Sequence, residues 1–194
     1  MTTNYRQDEK KFIALWKELA TKSPYDMPFR GQLVDDVIDD YLPSLVILDY
    51  NGQTFIVTHT GSVVISFYQH DLTGMDYFDF YSKEARKHII TLFDEMKHCP
   101  FAYYVERDFY KADGHRLHSK TISLPFADEN GEFVSIFSLT NAQSDTPKEP
   151  AKNTDVTGQS AIVRKVEFID LGYGLPDEEI LTKVKKLILI ETID

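Results

Sequence analysis

The sequence predicts an α+β domain in which strands pair antiparallel and helices separate two groups of them. Two β-rich runs, 45–49 (Leu-Val-Ile-Leu-Asp) and 54–58 (Thr-Phe-Ile-Val-Thr), flank Tyr50-Asn51-Gly52-Gln53. Asn-Gly favours a two-residue type I′ hairpin, because positive φ costs these residues least. A helical pattern follows His59, and three more strand-like runs begin at Phe101. The order is therefore strand, strand, helices, strand, strand, strand.

In chain order, 4–21 forms an amphipathic leading helix. Phe12, Leu15, Trp16 and Leu19 recur at helical spacing, with Asp8 and Glu9 early and Lys17 and Lys22 late, as the helix dipole favours. Ser23-Pro24 ends it. A second helix is expected over 32–41, before Leu42-Pro43 opens the hairpin. The stretch 60–67 reads as a short helix or turn. A longer helix over 82–97 places Ile89, Ile90, Phe93 and Met96 on one face until Pro100 stops it.

The runs 101–110, 115–126 and 132–139 are joined by Ala112-Asp113-Gly114 and Asp128-Glu129-Asn130-Gly131, so consecutive hairpins are expected. The segments 133–139 and 45–48 are apolar on both alternating faces and need cover on both sides. Central helices supply one cover; the leading helix, the C-terminal segment or a partner subunit supplies the other. The stretch 141–160 is polar, carries two prolines and reads as a linker or loop. A strand over 161–171 and an amphipathic helix begun by Pro176, with Ile180, Leu181, Val184, Leu187 and Ile188 as its apolar positions, close the chain. The expected organisation is a helix and connection over 1–26, a domain over 27–140, a linker over 141–160 and an extension over 161–194.

With 194 residues, 42% hydrophobic and 13% aromatic, the chain can bury one good core. A formal charge of −10 argues against binding phosphate backbones, so no nucleic-acid partner is expected. Cys99 is the sole cysteine, which excludes an intrachain disulfide and points to a reducing cytoplasm. No signal-peptide pattern opens the sequence, and no apolar run approaches the ~20 residues of a membrane span.

Few motifs carry chemistry. Asp35-Asp36-x-x-Asp39 matches a magnesium-diphosphate pattern, but such enzymes are all-helical, and a solvated helix face explains it. His115 and His118 would point to opposite faces of one strand, and His88 and His98, ten apart on or just after a helix, lie ~80° from one another, so neither pair suits a metal. His88 is the best-placed single histidine for haem, although no motif supports haem or flavin and a plain core or surface role is the simpler reading. Cys99 reads as a structural thiol. Gly158-Gln-Ser160 lacks the strand and closing glycine of a nucleophile elbow. Gly172-Tyr-Gly174 is too short for a dinucleotide loop.

Several short motifs remain: Trp16-x-x-Leu19, Met27-Pro28-x-Arg30, Leu42-Pro43-x-Leu45-x-x-Leu48-Asp49, Thr60-Gly61-x-x-Val64, Asp71-Leu72-Thr73-Gly74 and Leu124-Pro125-Phe126. With the strand order, they make the chain resemble a family of small stand-alone bacterial Per-Arnt-Sim (PAS) domain proteins over about residues 10 to 140. The loop Asp71, Leu72, Thr73, Gly74 is the most specific part. The family's glycine two residues before that aspartate is Gln69 here, so a different local turn is expected.

The resemblance implies a PAS-like five-stranded antiparallel sheet, with short helices over one face, an N-terminal helix outside it, and a C-terminal strand and helix as an extension. It implies a non-enzymatic sensory module that binds a small ligand, partner proteins or both. By position, Phe67, Phe78, Tyr81, Tyr104 and His118 are the ligand-cavity candidates. The reactive Asn-Cys-Arg-Phe pattern of light-sensing relatives is absent. With no kinase-like or cyclase-like segment in the chain, output is expected in trans through signalling proteins, and a homodimer is expected from the apolar leading helix. The alternative is a small α+β enzyme using an acid–base pair such as His59 and Asp71.

Overall fold

A computed structural model describes residues 7–33, 38–110, 116–145 and 160–190. The helices are α1 (Gln7–Lys22), α2 (Ser62–Tyr68), α3 (Lys83–His98) and α4 (Glu178–Ile190). The strands are β1 (Leu45–Tyr50), β2 (Phe55–Thr60), β3 (Phe101–Tyr110), β4 (Arg116–Ala127), β5 (Phe133–Asp145) and β6 (Ser160–Asp170). They form one antiparallel sheet in the order β2-β1-β5-β4-β3-β6. The early hairpin thus joins the later strands through β1 and β5, with Leu45 opposite Leu139 and Asp49 opposite Ser135.

The sheet has six strands where five were expected. The segment read as an appended strand pairs with β3 along its whole length, from Phe101 opposite Asp170 to Tyr110 opposite Ser160. The polar residues 141–145, read as the start of a linker, continue β5, because β4 offers them unbroken pairing up to Arg116 opposite Asp145. Residues 146–159, the rest of the expected linker, lie outside the described residues.

Local chemistry explains the other departures. The hairpin turn is centred on Gly52-Gln53 rather than Asn51-Gly52, since the Asn51 N–H donates to the Thr54 carbonyl at 3.0 Å. Gly52 takes φ +93° at the first central position, as a type II′ turn requires. The Asn51 side chain instead accepts from the Gln53 and Thr54 amides, each at 3.0 Å. The helix expected over 32–41 does not begin at Gln32. That residue closes a 3₁₀ turn over Arg30–Gln32, Leu33 is extended, and 34–37, including Asp35 and Asp36, fall outside the described residues. On α3 the buried side chains are Ala85, Ile89, Leu92, Phe93 and Met96; Ile90 is 38% exposed, one step round the helix from that face.

The two faces of the sheet are covered by different elements. The outer face carries α1, whose Trp16 is 1% exposed and donates from Nε1 to the Pro125 carbonyl at 2.6 Å. Pro125 is tolerated in β4 because the pairing with β3 has already ended at Ser123, so its missing N–H leaves no ladder position empty. The inner face carries α2, the 3₁₀ turn Tyr77–Phe80 and α3, with Phe55 and Phe93 in ring contact with one another and each with Phe78 and Phe133. The C-terminal helix α4 packs against β6 and beside α3, burying Leu181 and Val184.

Candidate ligand-binding site

Strand β3 runs without interruption against β4 from Tyr103 opposite Ser123 to Tyr110 opposite Arg116. Side chains alternate along it, so Tyr103, Val105, Arg107 and Phe109 face the helices and Tyr104, Glu106 and Asp108 face outward. Ring contacts confirm the inner direction. Phe109 meets Phe67 and Tyr68 of α2 at 5.6 and 5.2 Å.

The inner surface of β4 and β5 is made of small residues. Ser119 lies opposite Ala142, Thr121 opposite Thr140 and Ser123 opposite Ser138. Two of these pairs are closed by hydroxyl hydrogen bonds, Thr121 to Thr140 at 3.1 Å and Ser123 to Ser138 at 2.8 Å. Ser119 Oγ is 0% exposed and has no hydrogen-bond partner. Arg107 lies directly across from it on β3. Tyr103 Oη, four residues along the same side of β3, is buried and likewise unpartnered.

Above this floor stand Tyr68 from α2 and Tyr77 and Tyr81 from the segment before α3. Tyr77 stacks on Phe93 at 5.8 Å, and its hydroxyl meets that of Tyr81 at 2.6 Å. Burial drives the Tyr77 and Tyr103 hydroxyls well above the ordinary tyrosine pKa, so both are neutral phenols across the physiological range. Burial also opposes the charge on Arg107, but Tyr81, Tyr103, Tyr77 and Tyr68 lie within electrostatic reach and favour it more strongly, so the guanidinium stays protonated. Among the described residues Arg107 has no carboxylate partner, although it keeps partial accessibility.

The elements that position these groups are held by the short motifs. Gly61 admits α2 close to the preceding turn, since a Cβ there would sit 2.3 Å from the Leu42 and Pro43 carbonyl oxygens. Gln69, the C-cap of α2, has φ +57°, and is the sole non-glycine with positive φ among the described residues. The left-handed turn expected of a glycine therefore persists with glutamine in its place. In the following loop Asp71 Oδ1 accepts from the Thr73 amide at 2.9 Å, Leu72 is buried, Thr73 Oγ1 donates to Thr60 Oγ1 at 3.2 Å, and the Gly74 amide donates to the Val57 carbonyl at 2.8 Å. The backbone of Thr73 is the main reason the Asp71 carboxyl titrates below its usual range. This loop ties the helical segment to β2. Asp49 does the same outside, accepting from Arg30, Thr58 and Ser135.

Of the residues read as cavity candidates, Phe67, Phe78 and Tyr81 lie in the inner layer. Phe67 packs on Phe109, Phe78 on Phe55 and Phe93, and Tyr81 reaches Tyr77. Tyr104 and His118 lie on the opposite face. Tyr104 Oη donates to Glu106 at 2.8 Å, and His118 Nδ1 is 2.8 Å from Asp108 Oδ1. Asp108 also accepts from Arg164 Nε at 2.8 Å, with Arg116 at 3.8 Å. Burial would raise the Asp108 pKa, but the hydrogen bonds from His118 and Arg164 outweigh it and hold the carboxyl below its usual range. Arg107 and Ser119 are not singled out by the sequence, and Tyr103 stands out there only as aromatic surface for a partner; the signal available was an arginine inside an otherwise aromatic run.

His59 Nε2 lies 3.0 Å from the Leu42 carbonyl and Asp71 is bound to Thr73, so the two considered as an acid–base pair hydrogen-bond to different partners. His88 is half-buried on α3. His115 lies outside the described residues. Among the described residues no three His, Cys, Asp or Glu side chains gather as a metal site, and no helix is long and apolar enough to cross a membrane. A family model described as a PAS domain matches residues 5–140. No curated protein matches the sequence.

Proposed function

Because the chain belongs to the PAS-domain family, we propose that it is a non-enzymatic sensory module that holds a small ligand between the inner face and α2 and α3, and signals in trans. The observation that carries this reading is the pair of buried, unpartnered hydroxyls, Tyr103 Oη and Ser119 Oγ, on that face. Folded proteins leave few such groups, and each calls for an explanation such as a bound molecule. Strand β3 also gives a ligand mechanical reach. Its inner side chains meet the helical layer, while Glu106 and Asp108 carry the charged network outside. A ligand that favours one position of β3 would shift the population of outer-face arrangements that a partner reads. The dimer expected from sequence would use other surface, since α1 buries Phe12 and Trp16 against its own sheet.

Native mass spectrometry of the full chain, purified without denaturation, tests the reading. An additional small mass that is lost on unfolding supports it. A bare chain that also shows no change in amide exchange of α2 and β3 across a library of small metabolites refutes it.

A further inference from the structure

The inner layer holds one positive charge without a carboxylate partner among the described residues. Arg107 lies one strand in from the edge strand β6 and is only partly accessible, a position where a cation would ordinarily be paired, because a charge withdrawn from water is costly. Tyr77 and Tyr103 are held neutral by burial, and the tyrosines around Arg107 offer oxygen dipoles in place of a carboxylate. The outer face of the same strand is different: Glu106 and Asp108 are paired with Lys120, His118, Arg116 and Arg164. The lone guanidinium is therefore a local property of the inner layer.

Resting on the ligand-sensing reading above, we infer that the inner layer recognises a small organic monocarboxylate, with the carboxylate held by Arg107 and the Tyr103 and Ser119 hydroxyls. A planar guanidinium presents two parallel N–H donors that match the two oxygens of a carboxylate. Ser119 Oγ, opposite Arg107, and Tyr103 Oη can each donate a hydrogen bond they otherwise lack. One cation balances one negative charge, so a monocarboxylate leaves the site neutral where a phosphate dianion would leave it negative. Tyr68, Tyr77 and Tyr81 surround the position with ring surface, which suits an apolar, aromatic or short aliphatic body attached to the carboxylate.

The test uses the full chain and named probes: sodium benzoate, phenylacetate and hexanoate, the matching uncharged amides, and inorganic phosphate. Binding is followed by thermal midpoint and by the resonance of the Arg107 side-chain N–H. At least one carboxylate should raise the midpoint and move that resonance at millimolar concentration, with its amide and phosphate at least about tenfold weaker. Arg107→Met should remove the response, and Tyr103→Phe should weaken it several-fold while leaving the midpoint of the free protein nearly unchanged. Binding of amides as tight as acids, or binding that survives Arg107→Met, overturns the carboxylate assignment and leaves the ligand-sensing reading standing. Phosphate binding as well as the organic acids overturns the assignment of an apolar body. No response to any carboxylate overturns the inference, and a native mass spectrum with an added uncharged molecule would then show that the broader reading survives without it.

Discussion

The two faces of strand β3 are built to opposite rules from adjacent residues. Facing outward, Asp108 is only 4% exposed and is met by His118, Arg164 and Arg116. Facing inward, its neighbour Arg107 lies within electrostatic reach of four phenols, opposite Ser119 on β4, with no carboxylate partner among the described residues. The outer network is closed within the chain, so it supports the fold. The inner group has no carboxylate among the described residues, which on the reading proposed above leaves it for a ligand. Sequence neighbours one residue apart thus divide the strand into a side whose charge is paired and a side whose charge has no carboxylate among the described residues.

Replacing Asp108 with Asn should have the largest effect. It would leave three basic groups around an uncharged amide and cost about 2 kcal/mol, less than for a wholly buried pair because Arg116 and Arg164 stay nearly half exposed. Urea unfolding at neutral pH measures it. The same group gives the comparison a pH signature. Its folded pKa lies below its unfolded value, so its stabilisation is present above about pH 4 and is lost as pH falls through the folded pKa. The stability gap between the wild type and Asp108→Asn should therefore close in acid; a gap that persists would mean the charge is not what matters.

A change of about 1 kcal/mol in the opposite direction is expected from Gln69→Gly, because glycine adopts the left-handed conformation without the steric cost that a side chain carries. It sharpens the contrast by separating strain at the end of α2 from the openness of the layer beneath it. The smallest effect belongs to Arg107→Met. Removing a cation that has no partner should leave the free protein within about 0.5 kcal/mol of wild type or more stable. Destabilisation matching that of Asp108→Asn would erase the distinction between the two faces.

Much of the frame is legible in the sequence because its signals are local. Helical spacing places Phe12 and Trp16 on one side of α1, Ser82 marks the start of α3, and turn residues separate β4 from β5. The motif Asp71-Leu72-Thr73-Gly74 marks a loop that anchors helices to β2, which explains why it is recognisable but not why a ligand would bind. The open site is less legible because it depends on register. Only the pairing of β3 with β4 sets Arg107 opposite a residue whose hydroxyl has no partner. Tyr104 and His118 were placed near a cavity by position alone. A one-residue alternation sends them outward, and the adjacent Tyr103 and Ser119 inward. The hairpin turn shows the same limit at smaller scale, since Asn51 acts through its side chain instead of its own φ.

The sixth strand lies wholly beyond the segment that the family model matches, yet it shields one entire flank of β3. A fragment trimmed after residue 140 would bare ten residues of hydrogen-bonding backbone along the strand that carries Arg107. An uncovered border of that length invites pairing between molecules, so the trimmed piece would self-associate. The tail is an integral wall of the sensor, and any attempt to study the recognisable portion alone would examine a damaged object.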